Sequence, residues 1–156
     1  MNTRPIIYLL CGLPGSGKTT YAKQLEKENT VRLSLDEELF ALFGREFSLE
    51  QYSEFEKQIK GKLLERTISL IKDGKSVILD WGFWKKNERE EVKKIMQGQG
   101  AEVRLLYFKK DAPKLLQGVQ NRDLSKNHEI SDEMLVKFSN QFEEPNSENE
   151  EIIPLA

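Results

Sequence analysis

Cysteine and histidine are almost missing from the 156-residue sequence, which holds one of each, Cys11 and His128. A single cysteine excludes an internal disulfide and suits a reducing compartment. One cysteine and one histidine cannot assemble a zinc site either. Charge of one sign is not in excess: 24 Lys and Arg face 26 Asp and Glu, a net charge of −2. That balance argues against a broad basic surface for gripping nucleic acid, although it leaves a local basic groove open. Long apolar runs are absent. The first such stretch, Ile6 to Cys11, is too short for a signal peptide or a membrane span, so a cytoplasmic location and no membrane partner are expected. Repeats and low-complexity linkers are lacking as well. What remains is 38% apolar and 32% charged. Length and composition predict one domain over residues 1–156, with a real core under a heavily charged surface.

Against this background one stretch stands out. Gly12-Leu13-Pro14-Gly15-Ser16-Gly17-Lys18-Thr19 fills every fixed position of the phosphate-loop pattern G-x-x-x-x-G-K-[ST]. Glycines let the backbone curl until successive N–H groups point at phosphate oxygens. Lys18 brings an ammonium to the β- and γ-phosphates, and the Thr19 hydroxyl suits a Mg²⁺ ligand. Thr20 opens the following helix, whose positive end lies under the same phosphates. The context fits: an apolar β-favouring run over 6–11 precedes the loop, and Thr20 to Leu25 reads as a helix. The pattern therefore predicts that a nucleotide's phosphates bind here with Mg²⁺.

Further strands are expected at Val31–Leu35, Ser76–Asp80 and Val103–Phe108, with a short edge strand near Glu151–Leu155. Helices are expected at Glu37–Phe43, from Ser48 (with a Ser48/Gln51 capping box) to Lys72, and at Lys86–Gln99. Two more are expected at Asp111–Arg122 and Ser131–Phe142. Strict alternation predicts an α/β fold, with a mostly parallel five-stranded sheet and helices on both faces. In such sheets ligands bind beyond the carboxyl ends of the strands, where Gly12, Asp36 and Asp80 fall.

Asp36 is the candidate catalytic base, because transfer of a phosphoryl group to a hydroxyl needs a carboxylate to orient it and take its proton. Its other reading is an N-cap for the helix at Glu37, and the two are compatible. Asp80 ends an apolar strand, the position expected near Mg²⁺, and would hold a metal-bound water or a substrate hydroxyl. Trp81, Phe83 and Trp84 form an aromatic cluster around Gly82 and would wall the acceptor, with at least one of them plugging the core. Arg89 would orient Asp80, meet a phosphate, or pair with nearby glutamates. Arg122 and Lys126 lie in an irregular stretch, a lid near 122–132 that would cover the nucleotide and neutralise charge; otherwise they are solvated surface. His128 in that stretch reads as a surface residue.

Gly12–Thr20, Arg32–Glu37, Val77–Trp84 with Glu88-Arg89, Asn121-Arg122 and Phe142–Pro145 together resemble the small AAA_33-type phosphate-loop kinases. That group includes zeta-toxin, chloramphenicol phosphotransferase and polynucleotide-kinase-like proteins. The resemblance implies a three-layer phosphate-loop NTPase fold of the nucleoside-monophosphate-kinase kind, and ATP·Mg²⁺ as donor to a hydroxyl. It implies that Lys18 and Thr19 hold phosphates and Mg²⁺, that Asp36 is the base, that Arg122 is the lid arginine, and that Phe142–Pro145 lies against adenine, with Pro145 at its end. Two positions depart from polynucleotide kinases: Leu39 stands for their acceptor-phosphate arginine, and Asp80-Trp81-Gly82 for their Asp-x-Asn. Both point away from a nucleic-acid acceptor. Acids at 36, 37, 38 and 80 beside aromatics suit a neutral or cationic hydroxylated small molecule, such as an aminocyclitol antibiotic. The rivals are a polynucleotide or nucleotide kinase, and an ATP-binding switch with slow ATPase activity.

Overall fold

A computed structural model describes residues 4–12, 16–27, 29–44, 48–109 and 140–153. In chain order these form β1 (Ile6–Cys11), α1 (Lys18–Leu25), β2 (Thr30–Ser34), α2 (Leu35–Phe43), α3 (Leu49–Lys72), β3 (Ser76–Asp80), α4 (Lys86–Gly98), β4 (Glu102–Tyr107) and β5 (Glu151–Ile152). The strands make one sheet in the order β2-β3-β1-β4-β5, with every neighbouring pair parallel.

The apolar runs explain the layering. A strand buried on both faces must be apolar at consecutive positions, not only at alternate ones. Ile7, Leu9, Leu33, Val77, Leu79 and Leu105 point to one face and pack with Leu39, Ile59, Leu63, Val92 and Met96 from α2, α3 and α4. Leu10, Ile78 and Leu106 point the other way and meet Ala22, with Tyr21 and Leu25 beside it on α1. The result is the expected three-layer phosphate-loop fold, with helices on both sides of the sheet.

Local signals set the helix ends. Ser48 Oγ accepts from the Gln51 N–H at 3.2 Å, and Gln51 Oε1 accepts from the Ser48 N–H at 2.9 Å. This reciprocal box starts the 24-residue α3. Helix α2 begins two residues earlier than expected. Ser34 caps it, accepting from the Glu37 N–H at 3.3 Å. Asp36 is therefore neither the strand end nor the cap; it sits in the first turn of α2. Its charge still suits that turn, because helix N-termini favour anions.

Residues 13–15, the whole of the expected helix Asp111–Arg122, and the lid near 122–132 with Arg122, Lys126 and His128 lie outside the described residues. Of the expected helix Ser131–Phe142, residues 140–142 are described; 140 and 141 are helical and Phe142 is not. Among the described residues no helix is long and apolar enough to cross a membrane.

Ser48→Ala removes the α3 cap. It should destabilise the fold by about 1 kcal/mol and lower the thermal midpoint by roughly 2–4 °C, measured by circular dichroism. An unchanged midpoint would show that the box contributes nothing to α3.

Candidate active site

Parallel pairing gathers the strand ends on one rim: Ser34 lies opposite Asp80, and Cys11 opposite Tyr107. The phosphate-loop segment leaves that rim at Gly12, whose N–H donates to the Gly82 carbonyl at 3.1 Å. A Cβ at Gly12 would lie 2.8 Å from Ser16 Oγ and 3.1 Å from the Phe108 carbonyl oxygen, so the backbone can pass here only without a side chain. Pro14 and Gly15 fall outside the described residues. Ser16 is buried, and Gly17 is the N-cap of α1 with no side-chain cap bond. Gly17 has no side chain with which to cap that turn, and a helix N-terminus of this kind favours an anion. Lys18 follows, with Nζ 3.5 Å from Ser16 Oγ, and Thr19 and the exposed Thr20 complete the turn.

Asp80 lies at the centre of the next group. Its Oδ2 accepts from the Thr19 hydroxyl at 3.1 Å and from Arg32 Nε at 2.9 Å. Arg32 Nη2 lies 2.9 Å from the same oxygen, and its Nη1 pairs with Glu37 Oε2 at 2.5 Å. Both the Arg32 and Asp80 side chains are buried. Asp80 thus stands beside the phosphate-loop threonine. Arg32 carried no site role in the sequence reading.

The aromatic segment behaves otherwise than expected. Trp81 and Phe83 stack on each other at 4.9 Å between ring centroids, and both are buried in the core. Neither offers a face to an acceptor, which corrects the wall reading for these two. Their positions alternate like strand residues, so they continue the buried face of β3. The Trp81 indole N–H is buried with no hydrogen-bond partner among the described residues. Trp84, half-buried, folds back over Gly82: a Cβ there would lie 2.1 Å from Trp84 Nε1. That indole N–H donates to the Gly12 carbonyl at 3.3 Å. Trp84 therefore braces the start of the phosphate loop.

Arg89 is also internal, with a side chain 2% exposed. It makes a two-pronged pair with Glu148 at 2.9 and 3.0 Å and donates through Nη1 to the Phe83 carbonyl at 2.8 Å. Its partner is neither Asp80 nor the neighbouring Glu90 and Glu91 but Glu148, which corrects those readings, and its burial leaves it turned inward rather than toward the rim. Phe83 has a φ of 48°, an uncommon conformation for a side-chain-bearing residue, and its carbonyl is held from two sides. The second donor is the Cys11 thiol at 3.4 Å. Burial pushes that thiol up to about 12, against the opposing pull of Arg89 and Lys18, so it stays protonated and able to donate. The Phe142–Pro145 segment adds a strap: the Glu143 N–H donates to the Trp84 carbonyl at 2.7 Å, and Pro145 is buried.

Asp36 is half-buried on α2. Burial raises the Tyr52 hydroxyl well above the ordinary tyrosine value, and the charges of Asp36, Glu56 and Glu88 push it further the same way. Lys60 lies between two of these acids, 2.5 Å from Glu56 and 2.6 Å from Glu88. Burial pulls the Lys60 ammonium down, but the two carboxylates outweigh it and the net shift is upward. Tyr52 thus lies within reach of three carboxylates, of which Glu56 and Glu88 are paired with Lys60.

The comparisons with known proteins bear on this rim. The AAA domain family, AAA_33, matches residues 7–145. The chain belongs to that family. Its fold recurs in the Pnkp1/Rnl/Hen1 RNA repair complex, at a TM-score of 0.74 and 22% identity over 90% of this chain and 45% of that one. It recurs in a gluconokinase from Sinorhizobium meliloti 1021, at 0.64 and 14%, covering 96% and 82%. Kti12 from Chaetomium thermophilum, in complex with ADP-AlF3, matches at 0.70 and 18%, covering 94% and 88%. This member of the family spans less than half the length of the two RNA-repair chains it matches, 40% and 45%. No curated protein matches it.

Removing one partner of a buried ion pair costs about 3–5 kcal/mol, so Arg89→Met should lower the urea midpoint by far more than Lys86→Met on the exposed face of α4. The pair also has a pH signature. Burial acts to raise the Glu148 carboxyl, but the Arg89 hydrogen bonds and charge outweigh it and hold the group below the ordinary glutamate value. A depressed carboxyl stabilises the fold above the unfolded value and loses that contribution as pH falls through the folded one. Urea midpoints from pH 6 to 3 should therefore fall more steeply for the wild type than for Glu148→Gln. Parallel curves would contradict this role for the pair.

Proposed function

We propose that the protein is an ATP-dependent phosphotransferase that moves the γ-phosphoryl group to a hydroxyl of a small molecule. The observation that carries the reading is the Thr19–Asp80 contact at 3.1 Å beside the N-terminus of α1, where the N-cap is Gly17. It joins a phosphate-binding helix to a strand-end carboxylate, the donor half of a phosphoryl-transfer site. Lys18 and the α1 N–H groups would bind and orient the phosphates. Thr19 and Asp80 supply hard oxygen ligands of the kind Mg²⁺ takes, one or two from the protein with phosphate and water completing the set. When bound there, the ion would neutralise charge on the phosphates. Asp36 would orient the acceptor hydroxyl and take its proton, and Arg122 would act from the lid.

The acceptor class is argued from charge. Two cations on this side are already engaged, Arg32 by Asp80 and Glu37, and Lys60 by Glu56 and Glu88. Asp36, Glu56 and Glu88 leave it acidic, which favours a neutral or cationic hydroxylated acceptor, an aminoglycoside-like or other antibiotic among them. A second reading, a polynucleotide or nucleotide acceptor, draws on the RNA-repair neighbour, so nucleic acid stays among the acceptors to be tested. A switch with slow ATPase activity needs no acceptor base.

Lys18→Ala should weaken ATP binding at least tenfold, followed by tryptophan fluorescence. Asp36→Ala should bind ATP normally and lose transfer by roughly 10²–10⁴-fold, scored by mass gain of a phosphoryl group across aminocyclitols, sugars, nucleoside monophosphates and 5′-hydroxyl oligonucleotides. Turnover intact in Asp36→Ala would contradict the mechanism; transfer to nucleotides or oligonucleotides alone would contradict the acceptor class.

A further inference from the structure

Helix α4 does not lie flush on the sheet. Between it, strands β1 and β4, and the 147–149 segment runs a cleft of about 200 Å³. Its floor is aliphatic: Leu9 and Leu105, paired across the two strands, with Val103 beside them. Leu9 and Leu105 stand two residues before Cys11 and Tyr107, where the strands reach the rim. No described residue of the phosphate loop lines the cleft.

The walls are charged. Arg89 and Glu148 satisfy each other, and Arg89 also serves the Phe83 carbonyl. Lys86 has Glu90 at 3.9 Å. Lys93, half-buried, has no ion pair among the described residues. Three cations against two carboxylates leave one positive charge over, and that charge belongs to Lys93. A half-buried ammonium beside aliphatic surface attracts a counterion more strongly than one in open water. A second negative charge on the ligand would face Glu90 and Glu148 with no cation left to balance it. Size sets the other limit. An apolar cavity of about 150 Å³ takes a benzene-sized molecule, so this cleft has room for one ring and a carboxylate.

We propose that the cleft is a binding site for a small monoanionic carboxylate with an apolar body, its charge at Lys93 and its body on Leu9 and Leu105. The carboxylate accepts from the Lys93 ammonium, and the body removes aliphatic surface from water. The site is separate from the phosphate loop and does not depend on the phosphotransferase reading.

The test is a titration of the full chain with benzoate at pH 8, with and without ADP, read from the carbon-13 methyl signals of leucine and valine. The signals of Leu9, Val103 and Leu105 should shift saturably, with a Kd of roughly 10 mM or tighter, and ADP should not displace the ligand. Benzyl alcohol, the neutral analogue, should bind about 2–5-fold more weakly. Lys93→Met should weaken benzoate by the same factor and leave benzyl alcohol unchanged. Lys94→Met, on the exposed side of α4, should change neither. Phenyl phosphate, a dianion at this pH, should bind no better than benzoate. Shifts that grow without saturating, or benzyl alcohol bound as tightly as benzoate, overturn the inference. So do displacement of benzoate by ADP, phenyl phosphate bound more tightly, benzoate affinity unchanged in Lys93→Met, and an equal loss in Lys94→Met. Should Lys93→Met fail to fold, the comparison of benzoate with benzyl alcohol on the wild type decides alone.

Discussion

One carboxylate oxygen, Asp80 Oδ2, ties three elements together. Thr19 brings α1, Arg32 brings β2, and the aspartate itself ends β3. The parallel register makes this possible, because Ser34 and Asp80 end level with each other and α1 starts from the same rim. Without that convergence the phosphate loop would be an isolated turn and α2 would have no fixed distance from it. Buried charge of this kind is tolerated only when fully paired, so the three donors and the fork to Glu37 belong to one arrangement.

A second arrangement supports the other side of the loop. Glu148 holds Arg89, Arg89 holds the Phe83 carbonyl, and Trp84 reaches from the same loop to the Gly12 carbonyl. The Glu143 N–H closes the set onto Trp84. The residues after β3 therefore serve as scaffolding under the phosphate loop, and the strap at 143–148 is what keeps them there. Strain at Phe83, with its left-handed φ, is stable because two donors share its carbonyl.

Much of this was legible in the sequence because it is local. The phosphate loop, the capping box at Ser48 and the apolar strands each carry their signal within a few residues. The α2 boundary was missed because Ser34 competes with Asp36 for the cap, and the serine, one residue before Leu35, won. The aromatic cluster was misread for a different reason. Trp81 and Phe83 look like rim residues by position, but which layer covers them is decided by α2, α3 and α4, far along the chain. Gly82 was visible, while the indole that excludes a side chain there was not. Arg32 and Glu148 were harder to read, since Asp80 and Arg89, the residues they meet, lie 48 and 59 residues away. An arginine within an apolar strand was the one available hint, because such a charge needs a buried partner.

In the proposed reading, Asp36 stands on the acceptor half of the site and the loop at 12–19 is the donor half. Phosphorus-31 NMR of the full chain with ATP, Mg²⁺ and a pool of hydroxylated small molecules tests the joining of these halves directly. The account predicts a new phosphomonoester resonance growing as ATP is converted to ADP. Inorganic phosphate as the sole product, at a rate indifferent to the pool, would contradict it.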